Sequence, residues 1–165
     1  RYGIDFSGGY SKQDLAKGWA VARMLEEHFY FLSMGFRWLE DANFWKGPYQ
    51  FFAEAPGPIR PLIARVVRSK VRKTQHLQGL GRHSRDERAA FAKGDIDAVE
   101  AMLGNSPYFL GQRPSGVDAT VFGFLSAGGT PYFDSAVGDD IRSRAGVMAY
   151  LRRMAAEYFP DFKFY

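Results

Sequence analysis

The sequence predicts an all-α fold, a helical bundle made of one domain of 165 residues. Apolar residues recur every three or four positions through most of the chain, which is the spacing of one helix face. Capping patterns precede several of these segments, and Gly or Pro follows them. No strand-like alternation stands out. Apolar residues make up 46% of the chain and aromatic residues 16%, enough to bury a core.

The first predicted helix is long and runs from the N-cap residue Ser11 to about Asp41. Asp14 lies three residues after this cap, as in many helix starts. One apolar row along the helix consists of Leu15, Trp19, Ala22, Leu25, Phe29, Leu32, Phe36 and Leu39. A second row consists of Val21, Met24, His28, Phe31, Gly35 and Trp38. Two apolar rows predict a helix that is covered on both sides.

The remaining side of this helix is polar and ends near Asp41. It carries Arg23, Glu26, Glu27, Tyr30, Ser33, Arg37 and Asp41. Arg23 with Glu27, and Arg37 with Asp41, are four residues apart and can form ion pairs. Two interpretations stay open: an outer face covered with ion pairs, or a polar wall beside a cleft.

Residues 43–58 are rich in aromatic residues, Pro and Gly, with Phe44, Trp45 and Phe51 among them. We expect a loop this apolar to pack on the helical core or on a partner domain. The second helix is predicted from about Ile59 or Arg60 to Gln78, with stops at Gly79 and Gly81.

The next helices are marked by their caps. Ser84 and Glu87 form a capping-box pattern, which predicts a third helix to about Phe91. Asp95 is predicted to begin another helix, which ends at Gly104.

Another N-cap pattern predicts the start of the central helix. Ser115 is the N-cap and Asp118 follows three residues later, so the Asp118 carboxylate can accept the backbone N–H of Ser115. Apolar residues surround the helix that follows, which places it at the centre of the bundle. It ends at the breaker 128–131. Two short helices are predicted at 137–144 and 146–158.

Composition excludes several classes of site. The chain has no Cys, so disulfides, a thiolate nucleophile and a Cys-rich metal site are excluded. His28 lies on an apolar row and is interpreted as a core residue. His76 and His83 have no carboxylate at metal-ligand spacing, so no metal site is predicted. No apolar run approaches the length of a membrane-spanning helix.

Positive charge is concentrated around the second helix. Residues 56–85 contain eight basic residues and no acidic residue, within a formal net charge of +4. This cluster could attract nucleic acid or an anionic membrane surface. A solvated face, or contact with an acidic neighbouring domain, is the preferred interpretation, and the role of residues 60–73 stays open.

Several motifs resemble a known family. Residues 110–123 resemble the buried helix-start motif of glutathione S-transferase C-terminal domains, in which a Ser or Thr cap and an Asp fix a central helix. Residues 23–28 with Tyr30 and Arg37-Trp38, residues 78–84 and residues 158–161 are similar to the failed-axon-connections and metaxin-like branch. The usual bulky staple around the cap is replaced by Pro114 and the small Ala119, so that contact should be weak.

The resemblance implies a two-domain protein. In this family an N-terminal thioredoxin-like domain holds most of the glutathione, and no βαβ pattern for it is found here. The chain begins with Arg1, not Met, so we expect further sequence before it. The chain alone is not expected to conjugate glutathione, and no catalytic residue is assigned. A homodimer and cytoplasmic localisation are also expected, whereas nucleic acid and membrane surfaces are disfavoured as partners.

The resemblance also implies a role for the first helix as the wall that binds a hydrophobic or carboxylate-bearing substrate. The predicted wall consists of Arg23, Glu27, Tyr30, Met34 and Arg37. The alternative is a non-catalytic scaffold or protein-interaction module, in which Tyr30 and Met34 pack against another domain.

Overall fold

The computed structural model describes residues 3, 5–161 and 164–165, and its regular elements are helical. The helices are α1 (Lys12–Met24), α2 (Tyr30–Trp38), α3 (Asp41–Lys46), α4 (Arg60–Gln78), α5 (Arg85–Leu103), α6 (Gly116–Gly129), α7 (Ala136–Ser143) and α8 (Ala145–Tyr158). A π-helical turn, Leu25–Phe29, joins α1 to α2. Two 3₁₀ turns, Pro48–Phe52 and Leu80–Arg82, flank α4. The predicted all-α class is confirmed.

The first predicted helix is a continuous rod that contains a π turn. The backbone N–H of Tyr30 donates to the carbonyl of Leu25, five residues earlier. A π turn takes up one extra residue, so side chains before it are rotated relative to those after it. The rod ends at Trp38, earlier than predicted, because α3 begins at Asp41 in a new direction.

Two ion pairs predicted along this rod are wrong for the same reasons. Arg23 pairs with Glu26 instead of Glu27. Asp41 lies beyond the end of α2 and pairs with Arg68, at 2.6 Å. The π turn and the early helix end change the partners that a straight α-helix would provide.

The predicted break before Asp95 is wrong. Residues 85–103 form one helix, with the predicted capping box of Ser84 and Glu87 at its start. Asp95 faces inward and bonds His28, with 2.7 Å between Oδ2 and Nδ1. His28 is half-exposed at the edge of the core instead of lying within it. This tertiary contact overrides the local tendency of Asp to begin a helix.

The aromatic segment 43–58 contains more structure than predicted, because it forms α3 and a 3₁₀ turn. Phe44 packs inside, and the guanidinium of Arg68 lies 4.5 Å from its ring centroid. Trp45 and Phe51 remain exposed. The loop therefore covers part of the helical core and presents other aromatic rings outward.

The core lies between the rod and helices α5 to α8. Its largest fully buried side chains are Tyr150, Phe29, Phe44, Leu25, Leu32, Ile96, Leu125, Ile141 and Leu151. Helix α6 packs on α1, α7 and α8. Helix α4 lies at the outside, against α2 and the two 3₁₀ turns.

Asp118 anchors the start of α6 inside the bundle, where it is only 1% exposed. The predicted bond is present: the carboxylate accepts from the backbone N–H of Ser115 at 2.9 Å, and also from its hydroxyl at 3.0 Å. The carboxylate also accepts from the backbone N–H of Phe109 at 2.7 Å and from the hydroxyl of Tyr150 at 3.0 Å. One carboxylate thus ties the preceding turn, the helix start and α8 together.

Candidate substrate-binding site

A cavity of about 340 Å³ lies between α2 and α6. Its lining from α2 comprises Tyr30, Ser33, Met34, Arg37 and Trp38. Its lining from α6 comprises Ala119, Thr120, Gly123, Phe124 and Ala127. Cavities of this size and mostly apolar lining are typical of small-molecule sites.

The charged group of the cavity is the guanidinium of Arg37. It donates to the carbonyl of Ala127 and lies 5.0 Å from the ring centroid of Phe133. No salt bridge joins Arg37 to a carboxylate within the described ranges. Burial lowers the pKa of Arg37 from its usual value, although Tyr165 and Tyr30 oppose this shift. A partly desolvated guanidinium without an acidic partner favours binding of a carboxylate.

The aromatic wall of the cavity is held by ring contacts. Tyr30 makes edge-on contacts with Phe31 and Phe124, at centroid distances of 5.2 and 6.4 Å. Phe124 belongs to α6, so this contact joins the two helices that form the cavity. Such edge-to-face pairs favour a defined ring orientation, which leaves the phenol of Tyr30 beside Arg37.

The structure brings together three of the five residues predicted for the wall. Tyr30, Met34 and Arg37 line the cavity. Arg23 lies in a neighbouring groove of about 200 Å³, which Thr120 also lines. Glu27 is exposed and outside the cavity, and its carbonyl accepts a hydrogen bond from Gln78 of α4. Arg23 precedes the π turn and Glu27 lies within it, whereas Tyr30, Met34 and Arg37 follow it.

Sequence reasoning missed the opposite wall, which α6 provides. That helix was expected to be covered on all sides, and its face with Val121 and Leu125 is fully buried. Its other face is open to solvent at Gly116, Ala119, Gly123 and Ala127. The recurrence of small residues at 119, 123 and 127 was the available signal.

Two kinds of feature are absent from the described part of the chain. It contains no group of three or more His, Cys, Asp or Glu that could hold a metal ion. None of its helices is long and apolar enough to cross a bilayer.

Part of this all-helical chain matches a known family. Residues 92–154 match the family described as "Glutathione S-transferase, C-terminal domain". The chain is 26% identical to the isoprene-epoxide–glutathione S-transferase of Rhodococcus sp. (strain AD45), over 96% of this chain and 67% of that protein. Over residues 92–154 the chain is similar to glutathione S-transferase C-terminal domains.

Two other relatives come from the predicted branch. Human metaxin-2 is 21% identical over 96% of this chain and 61% of its own length. Failed axon connections of Drosophila melanogaster is 23% identical over 98% of this chain and 41% of its own length. The chain thus spans between two fifths and two thirds of these relatives. No solved structure matches it significantly. The predicted resemblance to the metaxin-like branch is confirmed.

Proposed function

We propose that this chain is the second-substrate-binding half of a glutathione-dependent transferase or isomerase. The observation that carries the proposal is the cavity between α2 and α6, where Arg37 has no carboxylate partner among the described residues. An apolar substrate bearing a carboxylate fits this lining, because Trp38 and Phe124 offer apolar surface and Arg37 offers paired N–H donors.

The thiol chemistry belongs to a further part of the protein. Proteins of this family use glutathione in general, and conjugation requires a thiolate nucleophile. That thiolate is the one of glutathione itself, and the mostly apolar cavity of this chain fits a wall for the second substrate better than a thiol-activating site. We assign glutathione binding mainly to a thioredoxin-like domain. The open face of α6 at Ala119, Gly123 and Ala127 suits that domain, because small side chains let another backbone approach closely.

Binding to the chain itself tests the carboxylate assignment. The probe is 2-naphthoic acid, compared with its uncharged amide by isothermal titration calorimetry. Arg37→Met should weaken binding of the acid about 10- to 100-fold, the value of a hydrogen bond to a charged group, and leave binding of the amide nearly unchanged. Arg23→Met, in the neighbouring groove, is the matched control. Equal loss for acid and amide, or equal loss in both variants, would refute the assignment.

Turnover tests the wider proposal. The natural gene product should conjugate or isomerise an electrophile with glutathione only when it carries a thioredoxin-like domain. A full-length protein that carries this domain and binds to a glutathione resin, but turns over no electrophile, would contradict the enzyme assignment. The homodimer and cytoplasmic localisation stay predictions, and light scattering of the purified protein checks the former.

A non-catalytic interaction module is the second candidate function. It is favoured by the exposed aromatic rings of Trp45 and Phe51, which lie outside the cavity. Exposed aromatic side chains are enriched at protein interfaces. This candidate would be favoured over the first if the wild-type protein bound a stable partner that the Phe51→Ser variant did not bind, and if the full-length protein turned over no electrophile.

A further inference from the structure

Helix α4 contacts the rest of the bundle through only one narrow side. Ala64 and Gln75 are the residues of α4 that are buried, and the Gln75 amide donates to the carbonyl of Phe31 at 2.6 Å. Arg68 adds hydrogen bonds to the carbonyls of Trp38 and Leu39, at 2.9 and 2.8 Å. The opposite side of the helix is therefore free of contact with the described bundle.

That opposite side carries several exposed aliphatic side chains. Leu62 is 61% exposed, Val66 48% and Leu77 66%. Residues 62, 66, 73 and 77 follow one another at spacings of four and seven, so their side chains share one side. Ile59 and Ile63 are exposed at the start of the same helix. Together these side chains form an aliphatic row along α4.

Basic side chains surround the aliphatic row. Arg65, Lys70, Arg72 and Lys73 are exposed, and none of them takes part in a salt bridge within the described ranges. No acidic residue occurs between Pro56 and Arg85. The charge that is already engaged, on Arg68, lies on the inner side with Asp41. The outer side of α4 thus combines exposed aliphatic side chains with positive charges, and Lys70 and Lys73 lie between Val66 and Leu77.

We propose that this outer side of α4 binds the surface of an anionic phospholipid bilayer, with the helix lying parallel to the membrane plane. Aliphatic side chains enter the acyl boundary, and Lys and Arg reach the headgroups, with Lys73 extending its charge outward from within the row. Sequence alone favoured a solvated face, since the charge run could not reveal that the aliphatic side chains would remain uncovered.

Other binding partners match only one of the two features of this surface, its aliphatic side chains or its positive charge. A nucleic acid would pair with the positive charges, but its phosphates gain nothing from exposed Leu62, Val66 and Leu77. A second copy of the chain would cover the aliphatic row but would set two positive surfaces against each other. An anionic membrane interface matches both features at once.

Vesicle co-sedimentation of the 165-residue chain tests the proposal. Binding to phosphatidylcholine vesicles that contain phosphatidylserine should exceed binding to phosphatidylcholine alone, and should fall as salt is raised. The double variant Lys70→Glu with Lys73→Glu should lose at least about 25-fold in partition coefficient, at about fivefold for each charge removed. The variant Leu62→Ser with Val66→Ser should also lose binding, because the aliphatic row enters the membrane.

The matched control is Lys12→Glu with Arg152→Glu, two exposed residues on α1 and α8 that change the net charge equally. It should bind nearly as the wild type does. Far-UV circular dichroism confirms that each variant is folded. If the control loses as much as the α4 charge variant, or if the Leu62 and Val66 variant binds normally, the proposal is wrong. Tighter binding to a single-stranded oligonucleotide than to anionic vesicles would also overturn it, and would assign the face to nucleic acid.

Discussion

Replacing Asp118 by Ala should destabilise the domain more than any comparable change at a surface cap. The carboxylate accepts from the N–H of Phe109 at 2.7 Å, from the N–H of Ser115 at 2.9 Å and from the hydroxyl of Tyr150 at 3.0 Å. Alanine removes these three contacts, and also the one that the carboxylate accepts from the Ser115 hydroxyl at 3.0 Å, at a position that is 1% exposed. Water cannot easily replace them there.

The size of the loss follows from the donors left behind. The N–H groups of Phe109 and Ser115 would lose their acceptor, at about 1–3 kcal/mol each. Tyr150 would keep a bond to the carbonyl of Asp118, at 3.3 Å, which survives the substitution. We therefore expect Asp118→Ala to lower the free energy of unfolding by about 3–5 kcal/mol. Domains of this size are stable by about 5–15 kcal/mol, so the variant should unfold at much lower urea concentration.

The chain contains its own control, because Ser84 and Glu87 form the same capping box at the surface. Glu87 accepts from the N–H of Ser84 at 2.8 Å, and its side chain is 57% exposed. Glu87→Ala should cost only about 0.5–1 kcal/mol, since water can take the freed N–H. Urea unfolding followed by circular dichroism measures both variants. Equal losses at the two boxes would refute the conclusion that burial makes Asp118 critical.

Three further substitutions test other parts of the fold. Tyr150→Phe should lower the free energy of unfolding by about 1.5–3 kcal/mol, because a hydrogen bond to a charged group is lost. A double-mutant cycle with Asp118→Ala should show coupling between the two side chains. Additive losses would contradict a hydrogen bond between them. Burial raises the pKa of Asp95 above 3.8, although the hydrogen bond from His28 opposes this shift. The raised pKa means that the native state favours the protonated acid. The native state therefore loses stability as the pH rises through the pKa of the folded protein. Asn does not ionise, so the Asp95→Asn variant should not show this loss. Its free energy of unfolding minus that of the wild type, measured by urea unfolding, should therefore increase over the same pH range. A difference that stays flat or falls would contradict the raised pKa. Gly94 lies inside α5, where an added Cβ meets no atom within 4 Å. Gly94→Ala should therefore raise the free energy of unfolding by about 0.5–1 kcal/mol. A decrease would argue against a continuous helix.

The sequence predicted the helices best where local chemistry decides. Helix α4 has the predicted bounds, and both complete capping boxes lie where the Ser and acidic residues place them. It failed at Asp95, because a contact with His28, 67 residues away, turned a potential helix start into a buried side chain. A contact of that range leaves no local signal.

The candidate site was only half visible in the sequence. The periodicity of the first helix brought out Tyr30, Met34 and Arg37 as one side, and these residues do lie together in the cavity. It could not separate them from Arg23 and Glu27, because a π turn changes the register and has no simple sequence signature. The wall contributed by α6 depends on which face the neighbouring helices leave uncovered.

Local patterns alone determined the all-helical class, the caps and the family to which the chain is similar, because helix periodicity and capping depend on residues within one or two turns. Only the tertiary structure decided that Arg37 would lie in a cavity without a carboxylate partner among the described residues, and that the aliphatic row of α4 would stay exposed. Exposure and pairing are set by how separate helices pack against each other. Leu62 and Leu77 of α4 therefore stay exposed, whereas Val121 and Leu125 of α6 are fully buried.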